Sequence, residues 1–544
     1  MAKIISFMLV LAAVIFFLGK TLNPFDPRMF DFHDDTQPAR VQQFVKNITS
    51  GVIPPRVGPD FSQGLGFPVF NFYAPTSYWI TASLNLIGIP IPLAVKASFL
   101  LAVILSFVAI YLLLKRFFSN EASLLGGVVY TSSLWIAIEI FIRGNLGEIW
   151  FLVLFPLSLY ILHLHSEKKS KLTFFLTVFI LSALFTVHNV LSLVSLLLIV
   201  LFILLLPHKK QLLLAFVIAL TLSSYFLLPG LIESRLTYAS YIAEKTNYHD
   251  HFLCAGQIWS APRWEFGGSG PGCYRDTMPF TLGKLHIILG FLGIITFLIR
   301  FKDEKKQRKL FLFLLLVGIF SLFLTTYQSS FIWDLLSPVF SLFQFPWRFL
   351  VFGSFLFAFF AGYLAHTLPI PYKKIVLTLL IGIFLFNSSK YFSKPWLYSV
   401  DEYNNNLASN KFIGQKAAYH MAEYLPKTAN YAFWRSIENK PFKVEKPGGF
   451  QKEYIIEHTG FTTVDVHYFP FWQIEINGKN VIPDKFDLLG RPQMYAQNQD
   501  RITVFYRETL IEKMGNLVTL ATLLFLMSIL IYKPLWNKLK PLLK

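Results

Sequence analysis

The chain has 544 residues, 54% of them hydrophobic, 17% aromatic and only 15% charged. A soluble domain carries about 25% charged residues, so this shortfall excludes an ordinary globular cytosolic enzyme and points to the membrane. The formal charge of +18 would suggest nucleic acid on a soluble surface, but Lys and Arg collect here in short loops between apolar runs, and no basic stripe carries the interleaved aromatics of a nucleic-acid interface.

A spanning helix needs about 20 mostly apolar residues. About twelve such stretches are expected, near 3–19, 92–114, 121–140, 148–164, 172–187, 190–206, 212–232, 281–300, 310–326, 347–367, 374–388 and 513–532. The first has no small-residue cleavage site after it and reads as an uncleaved span. With a cytoplasmic N-terminus, the clusters Lys115-Arg116, Lys168–Lys171, Lys209-Lys210, Arg300–Lys309, Lys373-Lys374 and the tail Lys533–Lys544 all fall on the cytoplasmic side, as the positive-inside rule requires. The expectation is a multi-pass protein of the cytoplasmic (inner) membrane with both termini cytoplasmic. Residues 1–388 form a membrane domain with outer loops 20–91, 233–280 and 327–346. An extracytoplasmic β-rich domain, 389–512, precedes the last span and basic tail, 513–544.

The first outer loop holds His33-Asp34-Asp35, then Arg40 and Arg56. Carboxylates just past a span are costly near lipid and are usually functional. They could act as a general base or hold Mg²⁺ or Mn²⁺; the plain alternative is a solvated loop with capping Asp residues. Further polar residues fall at span ends on the same side: Arg143 and Glu148, His188-Asn189, Glu233 and Arg235, and Arg348. Singly each has an ordinary explanation. Together they suggest one outward polar chamber, in which arginines suit a phosphate. Cys254 and Cys273 share an outer loop and are expected either to form a disulfide, favoured in an oxidising compartment, or to stay as buried thiols. Within 389–512, Thr462–Tyr468, Trp472–Ile476 and Ile502–Tyr506 alternate like strands, Asn477-Gly478 reads as a hairpin turn, and about 403–426 reads as helix.

His33-Asp34-Asp35…Arg40, the Gly-x-Gly-x-Pro…Phe-Tyr-x-Pro stretch at 64–75, Arg-Gly-Asn-x-Gly-Glu at 143–148, His188-Asn189, Trp264…Gly267-Gly268-Ser269…Pro271-Gly272, Phe345-Pro346-Trp347-Arg348-Phe349 and Tyr468-Phe469-Pro470-x-Trp472 follow one another in an order that resembles YfhO-like membrane proteins. Those carry a 6-pyruvoyl-tetrahydropterin-synthase-related domain label that misleads about chemistry, and they are similar in turn to the GT-C superfamily of glycosyltransferases. The resemblance implies a multi-span all-α GT-C-like fold and polyprenyl-phosphate sugar donors. It also implies a catalytic acid at Asp34 with Asp35 as its neighbour, holding Mg or Mn if a metal is used. Donor and substrate contacts are expected from His33, Arg40, Arg56, Arg143, Glu148, His188, Asn189 and Arg348. The acceptor, a glycan, lipid or protein, does not transfer. Two other readings stay open: a lipid or glycan transporter or flippase, which would want polar residues at mid-span and matching halves, and a non-catalytic assembly protein of the same fold.

Overall fold

The computed structural model describes every residue except 262, 266, 273–275, 370, 395–396, 407–411, 438–439, 441–443 and 532–544. The basic tail therefore lies outside the described residues. A helix lies on each of the twelve apolar stretches: α1 Ala2–Leu18, α2 Ile91–Leu114, α3 Asn120–Arg143, α4 Leu146–Lys168, α5 Lys171–Phe185, α6 Asn189–Leu205, α7 Lys209–Leu236 in two arms, α8 Lys284–Ile299, α9 Arg308–Leu324, α10 Pro346–Thr367, α11 Lys373–Ser389 and α12 Leu510–Ile531. By length and composition α2, α3, α4, α10 and α12 can each cross a membrane. The two arms of α7 meet at 67° and add a sixth if they form one span, whereas α1, α5, α6 and α8 are apolar but shorter. Twelve crossings go beyond what these lengths establish.

Several helices start where a polar side chain takes up the free backbone N–H groups of a first turn. Ser119 accepts from Ala122, Asn145 from Glu148, Ser170 from Thr173, and His188 from Val190 and Leu191. The centre of the bundle is α10 with α3. Small residues let neighbouring backbones approach α10, as membrane helix packing demands. A Cβ on Gly290 of α8 would lie 2.6 Å from Phe357 Cα, Gly293 meets Phe360, Gly318 of α9 meets Leu356, and Gly126 of α3 meets Gly362. By contrast few residues of α12 are buried, Glu512, Gly515, Leu526 and Ile529.

After α11 the described residues make two short helices, Val400–Asn406 and Tyr431–Ser436, with brief turns at 412–416 and 419–424 between them, less regular than the helix expected over 403–426. Seven strands follow: β1 Gln451–Ile455, β2 Gly460–Thr463, β3 Trp472–Ile476, β4 Lys479–Asn480, β5 Lys485–Phe486, β6 Pro492–Ala496 and β7 Arg501–Tyr506. They form two antiparallel sheets, ordered β1-β7-β3-β4 and β2-β6-β5. Asn477 and Gly478 turn β3 into β4 with φ of 51° and 77°, the left-handed pair that a tight hairpin needs. The strand expected over 462–468 stops at Thr463; beyond it Asp465 and His467 are buried and their hydrogen bonds leave the sheet.

This region is stitched to the first long loop. Arg28–Met29 pairs antiparallel with Tyr398–Ser399. Ser62 Oγ lies 2.6 Å from His467 Nε2 and accepts from Trp434 Nε1 at 3.1 Å. Lys452 Nζ donates to Gly64 O at 2.7 Å. His467 Nδ1 lies 2.6 Å from Leu489 O, and burial pushes this imidazole down to about 4.

Candidate functional site

The site forms where α3 ends and α4 begins. The last turn of α3, Glu139–Arg143, widens into a π-helix, a distortion frequent at functional positions. Gly144 then adopts φ 69°, where any side chain would run into Phe32. The open surface of Gly144 lets the first loop lie flat on this turn. His33 N donates to Ile142 O and Asp34 N to Arg143 O, both at 2.8 Å. Two segments more than a hundred positions apart are thereby locked together, with Asp34 beside the turn.

Glu148, on the first turn of α4, is the hub. Its carboxylate is fully buried and faces Arg143 Nη1 at 2.8 Å, Arg348 Nε at 3.4 Å and His188 Nε2 at 3.5 Å. Arg143 is shared with the equally buried Glu139 at 2.7 Å and lies over the Trp347 ring at 4.5 Å. Arg348 donates to Phe343 O at 2.7 Å and lies over Phe345 at 4.9 Å. Four of the residues singled out in the sequence therefore meet: Arg143, Glu148, His188 and Arg348.

Asp34 Oδ1 lies 3.2 Å from His33 Nδ1, and Oδ2 accepts from Asn145 Nδ2 at 3.5 Å. Burial pushes the Asp34 carboxyl up, but His33, Arg143 and Arg40 outweigh it and hold the group below its ordinary value. Asp34 is thus ionised and able to accept a proton. Its hydrogen bond raises His33. Asp35 goes the other way: burial raises it against His420, 3.6 Å off, and the charge of Asp34 adds to the rise. The two adjacent carboxylates differ because the His33 hydrogen bond and the Arg143 and Arg40 charges outweigh burial at Asp34, whereas at Asp35 burial and the neighbouring Asp34 charge outweigh His420, Lys416 and His33.

Arg40, on the helix Gln37–Thr49, is buried. It lies over the Tyr73 ring at 4.5 Å and donates to Tyr78 Oη at 3.5 Å. No carboxylate stands within ion-pair distance of it among the described residues, and its Nε has no hydrogen-bond partner. Glu423, which nothing in the sequence flagged, feels both Arg40 and Arg348, and burial raises its carboxyl. Its only sequence signal is a lone acid among aromatic residues.

Two candidates lie in other networks. Arg56 donates to Asn71 Oδ1, Tyr225 O and Asn516 Oδ1 at 3.3, 2.8 and 2.8 Å, joining the first loop to α7 and α12. Asn189 is a latch: it donates to Phe72 O at 2.7 Å and Tyr424 Oη at 3.1 Å and accepts from Ala74 N at 2.9 Å. Asp34 and Asp35 engage separate histidines, and among the described residues no three His, Cys, Asp or Glu side chains gather as a metal would need.

Cys254 is disulfide-bonded; Cys273, the chain's other cysteine, lies outside the described residues. The loop beyond Cys254 roofs the site: Ser269 Oγ accepts from Trp347 Nε1 at 3.0 Å and lies 2.7 Å from His251 Nδ1. Beneath the site runs a narrow apolar seam between α4, α6, α9 and α10, lined by Phe155, Leu159, Leu198, Phe313, Phe352 and Phe355. Helical spacing aligns it with the charges: Phe155 and Leu159 follow Glu148 by seven and eleven residues, and Phe352 and Phe355 follow Arg348 by four and seven.

Residues 70–248 match the family described as 6-pyruvoyl-tetrahydropterin synthase related domain; membrane protein. The YfhO-like resemblance of the motifs is consistent with this match. The matched stretch of the synthase-related domain contains Arg143, Glu148, His188 and Asn189, while Asp34, Asp35, Arg40 and Arg348 lie outside it. No curated protein matches the chain.

Proposed function

We propose that this membrane protein is a GT-C-type glycosyltransferase that moves a sugar from a polyprenyl phosphate to an acceptor on the extracytoplasmic side of the cytoplasmic membrane. The observation that carries this reading is the ionised Asp34 beside the buried Arg40 and Arg143 and the part-buried Arg348, with an apolar seam starting one helical turn below Arg348. Asp34 takes the proton of an acceptor hydroxyl as its oxygen attacks the anomeric carbon. The bond from that carbon to the phosphate oxygen breaks, and the polyprenyl phosphate leaves with the electron pair. Arg40, whose guanidinium has no carboxylate to satisfy it, is the cation best placed to receive the phosphate, since a charge-assisted bond there replaces no existing ion pair. Arg348 adds to it from across the site. The polyprenyl chain follows the seam, whose free space of about 10 Å³ requires α6 and α9 to part as the lipid enters. Twelve spans, both termini cytoplasmic, and the 389–512 segment outside complete the proposal. Added Mn²⁺ and EDTA, run in parallel, read whether Asp34 and Asp35 hold a metal between them.

The test is sugar transfer from polyprenyl-phosphate hexoses to extracted envelope glycolipids by purified protein in nanodiscs. Asp34→Asn should lower turnover by about 10²–10⁴-fold, the usual worth of a general base, with donor binding little changed. Full activity in Asp34→Asn, Asp35→Asn and the double variant would end the enzymatic reading.

A further inference from the structure

From Leu310 to Trp347 the sequence contains one charged side chain, Asp334. The stretch covers most of α9 and then the connection to α10, four short turns at Tyr327–Ser329, Ser330–Leu335, Ser337–Phe340 and Ser341–Phe343. A hydrated loop of this length would carry several charges. One side of the connection is a packed aromatic floor: Trp333 and Phe343 are buried, and the Trp333 ring lies 4.9–6.1 Å from Phe340, Phe252 and Phe349. Asp334 is drawn off toward the 233–283 loop, where it accepts from Tyr248 Oη at 2.8 Å and lies 2.9 Å from His249 Nε2. The other side is bare. Phe331, Leu335, Leu336, Val339 and Leu342 are exposed, Leu335 by 77%. This bare face continues the exposed side of α9, formed by Leu316, Ile319 and Phe320, and α9 and α10 pack along each other, so the connection sits where both helices reach one bilayer surface.

We infer that residues 327–343 are an in-plane membrane anchor whose bare face lies among acyl chains at the headgroup boundary. Five large apolar side chains on one face of a nearly uncharged segment are what interfacial binding selects, and a patch of this kind is not left to water. The occupant is lipid because the patch is continuous with the lipid-facing side of α9. One consequence concerns Arg348. Its guanidinium is hydrogen-bonded to Phe343 O, so the depth of the anchor fixes the level of that cation relative to the headgroups. This inference does not depend on the enzymatic reading.

The test uses nitroxide labels at Leu335→Cys and Val339→Cys in full-length protein in phosphatidylethanolamine–phosphatidylglycerol nanodiscs. Label is attached without reductant, since no free cysteine occurs among the described residues. Phe320→Cys on α9 supplies the lipid reference, and Ile482→Cys, on an exposed turn of the β region, the water reference. Both test labels should collide with oxygen as often as position 320 and escape a nickel chelate, at a depth of about 5–10 Å. Nickel access at either position equal to that at 482 would overturn the proposal. So would low collision with both reagents, the mark of a protein partner seated on the face.

Discussion

Arg143 and Arg40 look alike in the sequence and differ in what surrounds them. Arg143 is bonded to Glu139 and Glu148, both buried. Removing one partner from a buried ion network costs about 3–5 kcal/mol, so Arg143→Ala should unfold the site, seen as lost monodispersity and a lower melting temperature in detergent. Arg40 holds no carboxylate. Arg40→Gln should leave melting nearly unchanged and raise the KM for donor about 10–100-fold, the worth of one hydrogen bond to a charged group, ~1.5–3 kcal/mol. A donor KM within twofold of wild type would remove Arg40 from the proposed phosphate site. The roles of Arg56 and Asn189 were not legible in the sequence. Each is a buried polar group that finds partners on distant segments, and no local spacing announces that. Glu148, His188 and Arg348 were legible because each breaks an apolar run at a span end, where burial leaves a charge needing company.

The helices were legible as elements because a run of Leu, Phe and Ile needs no partner to declare its period, and the expected boundaries fall within a few residues of those observed. The segment 400–463 was less legible. Part of it docks on the loop 58–68, where Trp434 Nε1 donates to Ser62 Oγ, and the same hydroxyl meets His467, just beyond the segment and 405 positions away. That contact makes a pH prediction. His467 takes a proton below about 6.5 when unfolded but only below about 4 when folded. The unfolded chain therefore binds more protons between those values, and stability is complete above 6.5 and falls as pH drops toward 4. At 1.36 kcal/mol per pH unit the loss approaches ~3 kcal/mol. Thermal melts across that window should show it, and His467→Gln should flatten the curve. Helix packing makes another prediction. Gly290→Val would drive a branched side chain into Phe357 of α10. Overpacking of this kind costs about 1–3 kcal/mol, read as a lower melting temperature in nanodiscs, whereas Gly382→Val on α11, with open space around it, should have little effect.

At the scale of the molecule, the orientation proposed from Lys and Arg makes one further prediction: a phosphatase fused after Lys479 should be active only outside the cytoplasm, and cytoplasmic activity there would overturn the topology. The manner in which α12 is attached has its own consequence. Few residues of this helix are buried, and its joint to the rest at its N-terminal end is polar: Asn71 donates to Glu512 Oε1 at 2.6 Å, Thr509 Oγ1 to Glu233 Oε1 at 2.6 Å, and Arg56 to Asn516. In hydrocarbon, those groups have no solvent to turn to if the joint opens. In small, wet micelles they do. The surroundings therefore act as a clamp on the joint, tight where water is scarce and slack where it is plentiful, so a short-chain detergent should free α12 for proteolysis well before the remaining bundle melts.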